Sequence, residues 1–79
     1  MAYVHELKIR PEYFVSVLDG SKPFEVRKND RDFHVNDYLM LSEYLGGYTG
    51  RKVKVMVTYL LRDSCYVKDG YVIMGIKKI

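Results

Sequence analysis

The chain has 79 residues, room for one compact domain and not for two, because a chain of this size buries only about 60% of the surface its unfolded form exposes. Hydrophobic residues make up 48% and charged residues 29%, which excludes the weakly hydrophobic, highly charged regime of disorder. The net charge of +3 is unevenly placed: residues 1–40 hold 6 Lys/Arg against 7 Asp/Glu and residues 41–79 hold 7 against 3, so the second half is basic and suits an anionic partner.

From Tyr3 to Ile9 the apolar residues Tyr3, Leu7 and Ile9, with His5 on their side, alternate with Val4, Glu6 and Lys8, the pattern of a half-buried strand. Pro11 suits a first helical position, Phe14, Val17 and Leu18 fall on one helical face, and Gly20 stands where a helix-terminating glycine belongs, which predicts a helix of about two turns. The period then switches to two, with Phe24 and Val26 against Glu25 and Arg27. A turn at Val35-Asn36-Asp37 leads into a strand from Tyr38 to Leu45, where Leu39 and Leu41 oppose Tyr38, Met40 and Ser42. Residues 46–50, Gly-Gly-Tyr-Thr-Gly, read as a hairpin loop whose glycines tolerate positive φ. The longest strand, Arg51 to Leu61, places Val53, Val55, Val57, Tyr59 and Leu61 on one face, with Tyr59 expected to pack as Tyr71 does. Residues 62–70 read as a loop, Tyr71 to Ile76 as a last strand, and residues 77–79 as a tail.

Strand outweighs helix, and no repeat or low-complexity segment divides the chain, so residues 1–79 are read as a single domain. The fold class is mainly β (α+β). Five or six short strands leave exposed edges unless the sheet curls on itself, so a small closed or partly open barrel is expected, with the helix at one end. Cys65 is the single cysteine and favours a reducing compartment, the cytoplasm. The first residues carry charges and no signal-like apolar run, and no stretch approaches the roughly 20 apolar residues of a membrane span, so neither export nor membrane insertion is expected.

Chemistry concentrates in residues 20–32, where Lys22 follows the helix stop and Glu25 and Arg27 lie two apart on a strand face, about 6.6–6.8 Å from each other. Lys28, Asn29 and Arg31 follow at the strand exit among acidic neighbours. The spacing Gly20-x-Lys22-x-x-Glu25-x-Arg27 resembles the signature of ASCH domains, relatives of the PUA RNA-binding barrel. The wider text, from His5-Glu6-Leu7-Lys8 through residues 24–33 to Tyr48-Thr49-Gly50-Arg51, is similar to short ASCH-like proteins of bacteria and phages. The resemblance implies a PUA-like barrel whose signature lines a cleft for RNA or a nucleotide.

Some ASCH-like proteins are amidohydrolases of acetylated cytidine that use a signature lysine, a threonine and a distant glutamate. Lys22 matches that lysine, but Glu25 stands at the threonine position and no glutamate follows Glu43, so no catalytic role is carried over. The leading expectation is an RNA- or nucleotide-binding module rather than an enzyme. Lys22, Glu25 and Arg27 would form its cleft, with Glu25 accepting from a base edge or ribose hydroxyl and Lys22 and Arg27 meeting phosphate or carbonyl oxygens. The loop with Lys28, Asn29 and Arg31 would grip the polar ligand, and Tyr48, in the glycine loop, would stack on a base. Arg51, Lys52 and Lys54 would supply a basic strip for the sugar–phosphate backbone. A small hydrolase acting on a modified nucleoside or RNA through Lys22 and Glu25, and a phage or bacterial protein-interaction domain, are the alternatives. His5, His34 and Cys65 lack the spacing of a metal site, so neither metal nor cofactor is expected.

Overall fold

The computed structural model describes residues 3–79. Its elements are β1 (Val4–Ile9), α1 (Pro11–Leu18), β2 (Phe24–Lys28), β3 (Tyr38–Tyr44), β4 (Tyr48–Leu61) and β5 (Tyr71–Lys78). They form one five-stranded sheet in the order β1-β3-β4-β5-β2, curled into a half-barrel around a single core. β1 pairs with β3 in parallel, and the other three pairings are antiparallel. This order leaves β1 and β2 as the two edges, facing each other across the seam where a closed barrel would have paired them.

The alternation read from β1 and β3 sets the core: Leu7, Ile9, Leu39 and Leu41 are buried, as are Val55 and Val57 of β4 and Val72, Met74 and Ile76 of β5. The helix packs on β3 and adds Phe14 and Val17 to the same cluster. Pro11 occupies its first turn, where a missing N–H costs nothing. Its end is fixed by Gly20 at φ +84°, a left-handed conformation that a β-carbon would strain, and by Lys78 Nζ, which donates to the Leu18 carbonyl. Among the described residues no helix is long and apolar enough to cross a membrane.

Four sequence expectations are corrected. Tyr3 lies ahead of β1 and is exposed rather than on its apolar face. The hairpin loop is shorter than residues 46–50, because Tyr48 already pairs with Tyr44 and a tight connection lets the ladder begin earlier. A bulge between Val57 and Tyr59 shifts the register, and since one inserted residue reverses every later side chain, Leu60 packs on the core while Tyr59 is 65% exposed. The predicted tail is strand: Lys77 and Lys78 continue β5 opposite Met56 and Val55.

Candidate functional site

The signature begins at the end of α1. The Lys22 amide donates to the Ser16 carbonyl at 3.0 Å, and the Ser21 amide donates to Asp19 Oδ1 at 2.8 Å, so the turn after Gly20 fixes Lys22 beside the helix. β2 then inverts the usual polarity of a strand. Phe24 and Val26 face outward, while Glu25 lies opposite Met74 and is only 3% exposed.

An isolated carboxylate at that depth is costly unless it is paired and hydrogen-bonded. Glu25 meets both conditions: Lys22 Nζ donates to its Oε1, and Arg27 Nε donates to its Oε2 at 2.8 Å. Each cation also reaches a strand edge. Lys22 Nζ donates to the Phe24 carbonyl at 3.0 Å, and Arg27 Nη2 donates to the Lys8 carbonyl at 2.5 Å. Arg27 therefore bridges β2 to β1 across the open seam, occupying an edge acceptor that a neighbouring strand would otherwise take.

The seam widens beside these residues into a cleft of about 620 Å³ lined by Lys8, Ile9, Arg10, Tyr13, Ser16 and Ser21 together with Lys22, Phe24, Glu25, Val26 and Arg27. Its chemistry follows from the donors it holds. A lysine ammonium has three N–H groups and an arginine guanidinium five; two of each are used, so the cleft retains unfilled donors beside a carboxylate whose two oxygens are both occupied. The triad carries one excess positive charge. Tyr13 and Phe24 flank the ammonium, with ring centres 5.4 and 5.1 Å away, giving apolar walls to a site that offers hydrogen bonds.

The remaining residues expected from the sequence disperse. Lys28 and Arg31, with Asp30 and Phe33, line a smaller recess of about 150 Å³ on the other side of Arg27. Asn29 does not line the cleft; its amide ties the loop to the Gly70 carbonyl at 2.8 Å. Arg51 does not join Lys52 and Lys54, because it shares the inner face with Val53 and Val55. There it forks onto Glu43, with Nε to Oε1 at 3.0 Å and Nη2 to Oε2 at 2.9 Å, while Thr49 Oγ1 donates to the same carboxylate at 2.6 Å. The guanidinium of Arg51, then the hydroxyl of Thr49, hold Glu43 below the ordinary carboxylate range against the opposing effect of burial. Tyr48, Lys52 and Arg51 border a third recess of about 350 Å³ with Glu6 and Ser42.

Sequence reasoning missed Tyr13 and Ser16, which lie three apart on the face of α1 turned to the signature; their spacing just before Gly20 was the available signal. It also missed Asp37, 1% exposed, which accepts from the amides of Tyr3 at 3.2 Å and His34 at 3.1 Å and lies 2.8 Å from His5 Nε2. This hub ties the N-terminal strand to the turn before β3.

The seam, with a buried carboxylate holding two cations at its mouth, places the chain among curled, mainly β domains with a cleft that sets charged groups among apolar walls. Residues 4–76 match the family described as Domain of unknown function (DUF3850), and the chain belongs to that family. It is 41% identical over 75 residues to the "Uncharacterized 12.9 kDa protein in GpA 3'region" of Escherichia phage P2, an alignment covering 94% of this chain and 68% of the phage protein.

Proposed function

We propose that the cleft between β1, α1 and β2 binds a phosphorylated nucleotide unit, either free or at an exposed end or loop of an RNA. The observation that carries this reading is the buried, engaged carboxylate: Glu25 is only 3% exposed and accepts from both Lys22 and Arg27, so the groups best presented to a ligand are the remaining N–H donors of the two cations and the ligand is an acceptor. Phosphate oxygens suit a guanidinium and an ammonium held side by side, while Tyr13 and Phe24 suit the flat face of a base. A volume of about 620 Å³ lies in the range of small-ligand sites. The ASCH-like signature supports the same ligand class.

On this reading Glu25 takes a different part from the one its sequence position implied. It orients the two cations and does not itself meet a base edge or ribose hydroxyl. Lys22 is engaged as a donor to Glu25, and the two serine hydroxyls of the cleft, Ser16 Oγ and Ser21 Oγ, donate to the Glu12 and Ser16 carbonyls rather than to a general base, so binding is favoured over hydrolysis.

Calorimetric titration of nucleoside 5′-monophosphates and of the matching nucleosides tests this. Wild-type protein is expected to prefer the monophosphate, and Lys22→Gln to weaken it at least tenfold, about 1.4 kcal/mol. Equal affinity for nucleoside and monophosphate refutes the phosphate assignment.

A further inference from the structure

A second set of cations lies on the opposite, outer face of the sheet. The register aligns Lys8 of β1, Ser42 of β3 and Lys52 of β4 in one row across the strands, puts Lys54 in the next row, and sets Lys77 of β5 opposite Met56. None of these four lysines takes part in an ion pair among the described residues, whereas Lys22, Arg27 and Arg51 are all engaged by buried carboxylates. Glu6, opposite Met40, is the acidic residue in these rows. The unpaired positive charge of this half of the sheet is thereby gathered on a convex surface that faces away from the core.

Aromatic rings are interleaved with these cations. Lys8 Nζ lies 4.5 Å from the Tyr44 ring centre and 5.9 Å from that of Tyr48, and Lys54 Nζ lies 4.6 Å from that of Tyr38. Tyr44 and Tyr48 meet edge to face at 5.2 Å. The rings hold the ammonium groups in place without neutralising them, and Tyr48, 65% exposed at the hairpin, keeps ring surface free for stacking. Lys52 and Lys54 stand about 6.6–6.8 Å apart along β4, and Lys8 stands about 9.4–9.8 Å from Lys52 across two strands. A flexible polyanion can meet several of them at once.

We propose that the outer face of β1, β3 and β4 is a platform for single-stranded nucleic acid, one that adjoins the cleft at Lys8 and acts independently of what the cleft holds. Unpaired cations alone suit any anionic surface. Their interleaving with tyrosines on a sheet selects nucleic acid, because phosphate contacts supply salt-dependent affinity and exposed rings receive unstacked bases.

Fluorescence anisotropy with labelled 12-mers of uridylate and thymidylate, at several salt concentrations, tests the proposal. The double variant Lys52→Gln/Lys54→Gln is expected to bind at least tenfold more weakly. Its dependence of log affinity on log salt should also flatten by about 1.4, roughly 0.7 for each single-strand phosphate that is no longer neutralised. Tyr48→Ser is expected to weaken binding at least fivefold with an unchanged salt slope. Mononucleotide affinity, which reports the cleft, should stay as in the wild type for both variants, so failure of the platform and failure of the cleft are read separately. Wild-type affinity and slope in the double variant overturn the proposal. So does binding of the wild type to phosphatidylserine vesicles but not to either 12-mer, which assigns the face to membranes.

Discussion

Arg27 makes two contacts at the seam, to Glu25 and to the Lys8 carbonyl, and replacing it with alanine removes both. In Arg27→Ala, Glu25 keeps Lys22 but loses a charged hydrogen bond at 2.8 Å, while remaining 3% exposed, and the Lys8 carbonyl loses its donor across the seam. A hydrogen bond to a charged group contributes about 1.5–3 kcal/mol, and breaking a buried pair outright costs about 3–5 kcal/mol. Lys22 compensates part of the buried charge, and the Lys8 carbonyl borders the cleft, where water can reach it. The expected loss is therefore about 2–3 kcal/mol, which in a domain of this size lowers the melting temperature by about 10–20 °C. Arg27→Lys keeps the charge but lacks the fork that reaches Glu25 and Lys8 together, and should fall between wild type and alanine. Thermal melts and urea titrations followed by circular dichroism measure this, with nucleotide affinity taken well below each midpoint. A melting temperature of Arg27→Ala within about 2 °C of wild type refutes the claim that this side chain closes the seam.

The Asp37 hub predicts a particular acid limb. Burial raises the pKa of this carboxyl, but the His5 side chain and the amides of Tyr3 and His34 together outweigh it and hold it below the ordinary value of 3.8. A carboxyl lowered in the folded state contributes stability above its unfolded pKa and loses it as pH falls through the folded value. Asp37→Asn should therefore be less stable at pH 7 by about 1–3 kcal/mol and should lose less further stability between pH 5 and pH 2.5; equal losses, measured by urea titration across that range, contradict the assignment. Gly75→Val probes the bulge in β4. A β-carbon at Gly75 would meet Thr58 Oγ1 at 2.9 Å and Tyr59 Cβ at 3.4 Å, so an overpacking cost of about 1–3 kcal/mol is expected, and a melting curve unchanged from wild type would show that Thr58 yields freely.

Much of this architecture is legible in the sequence where local periodicity and burial agree. Leu7 and Ile9, the Pro11 and Gly20 bounds of the helix, and the Leu39–Leu41 alternation all rest on neighbours within a few residues. Tyr59 is not legible, because the bulge that turns it outward is forced by pairing with β5, ten and more residues away. β2 misleads for a different reason: its charged residues face inward because Lys22, Glu25 and Arg27 satisfy one another, a compensation visible only when all three converge. Arg51 was separable from Lys52 and Lys54, since it shares the period of Val53 and Val55. The neighbourhood of Lys8 and Lys52 depends on the strand order β1-β3-β4, and so does the seam itself; neither is set by local sequence.

On the proposed reading, Glu25 holds Lys22 and Arg27 as donors for a phosphate in the seam. Two-dimensional amide spectra of the 15N-labelled protein, recorded during titration with a nucleoside 5′-monophosphate and then with the nucleoside, test it most directly. Saturable shifts are expected at residues 8–10, 13, 16 and 21–27 that require the phosphate and are absent in Lys22→Gln. Shifts that ignore the phosphate, or that fall elsewhere while residues 21–27 stay unmoved, would contradict it.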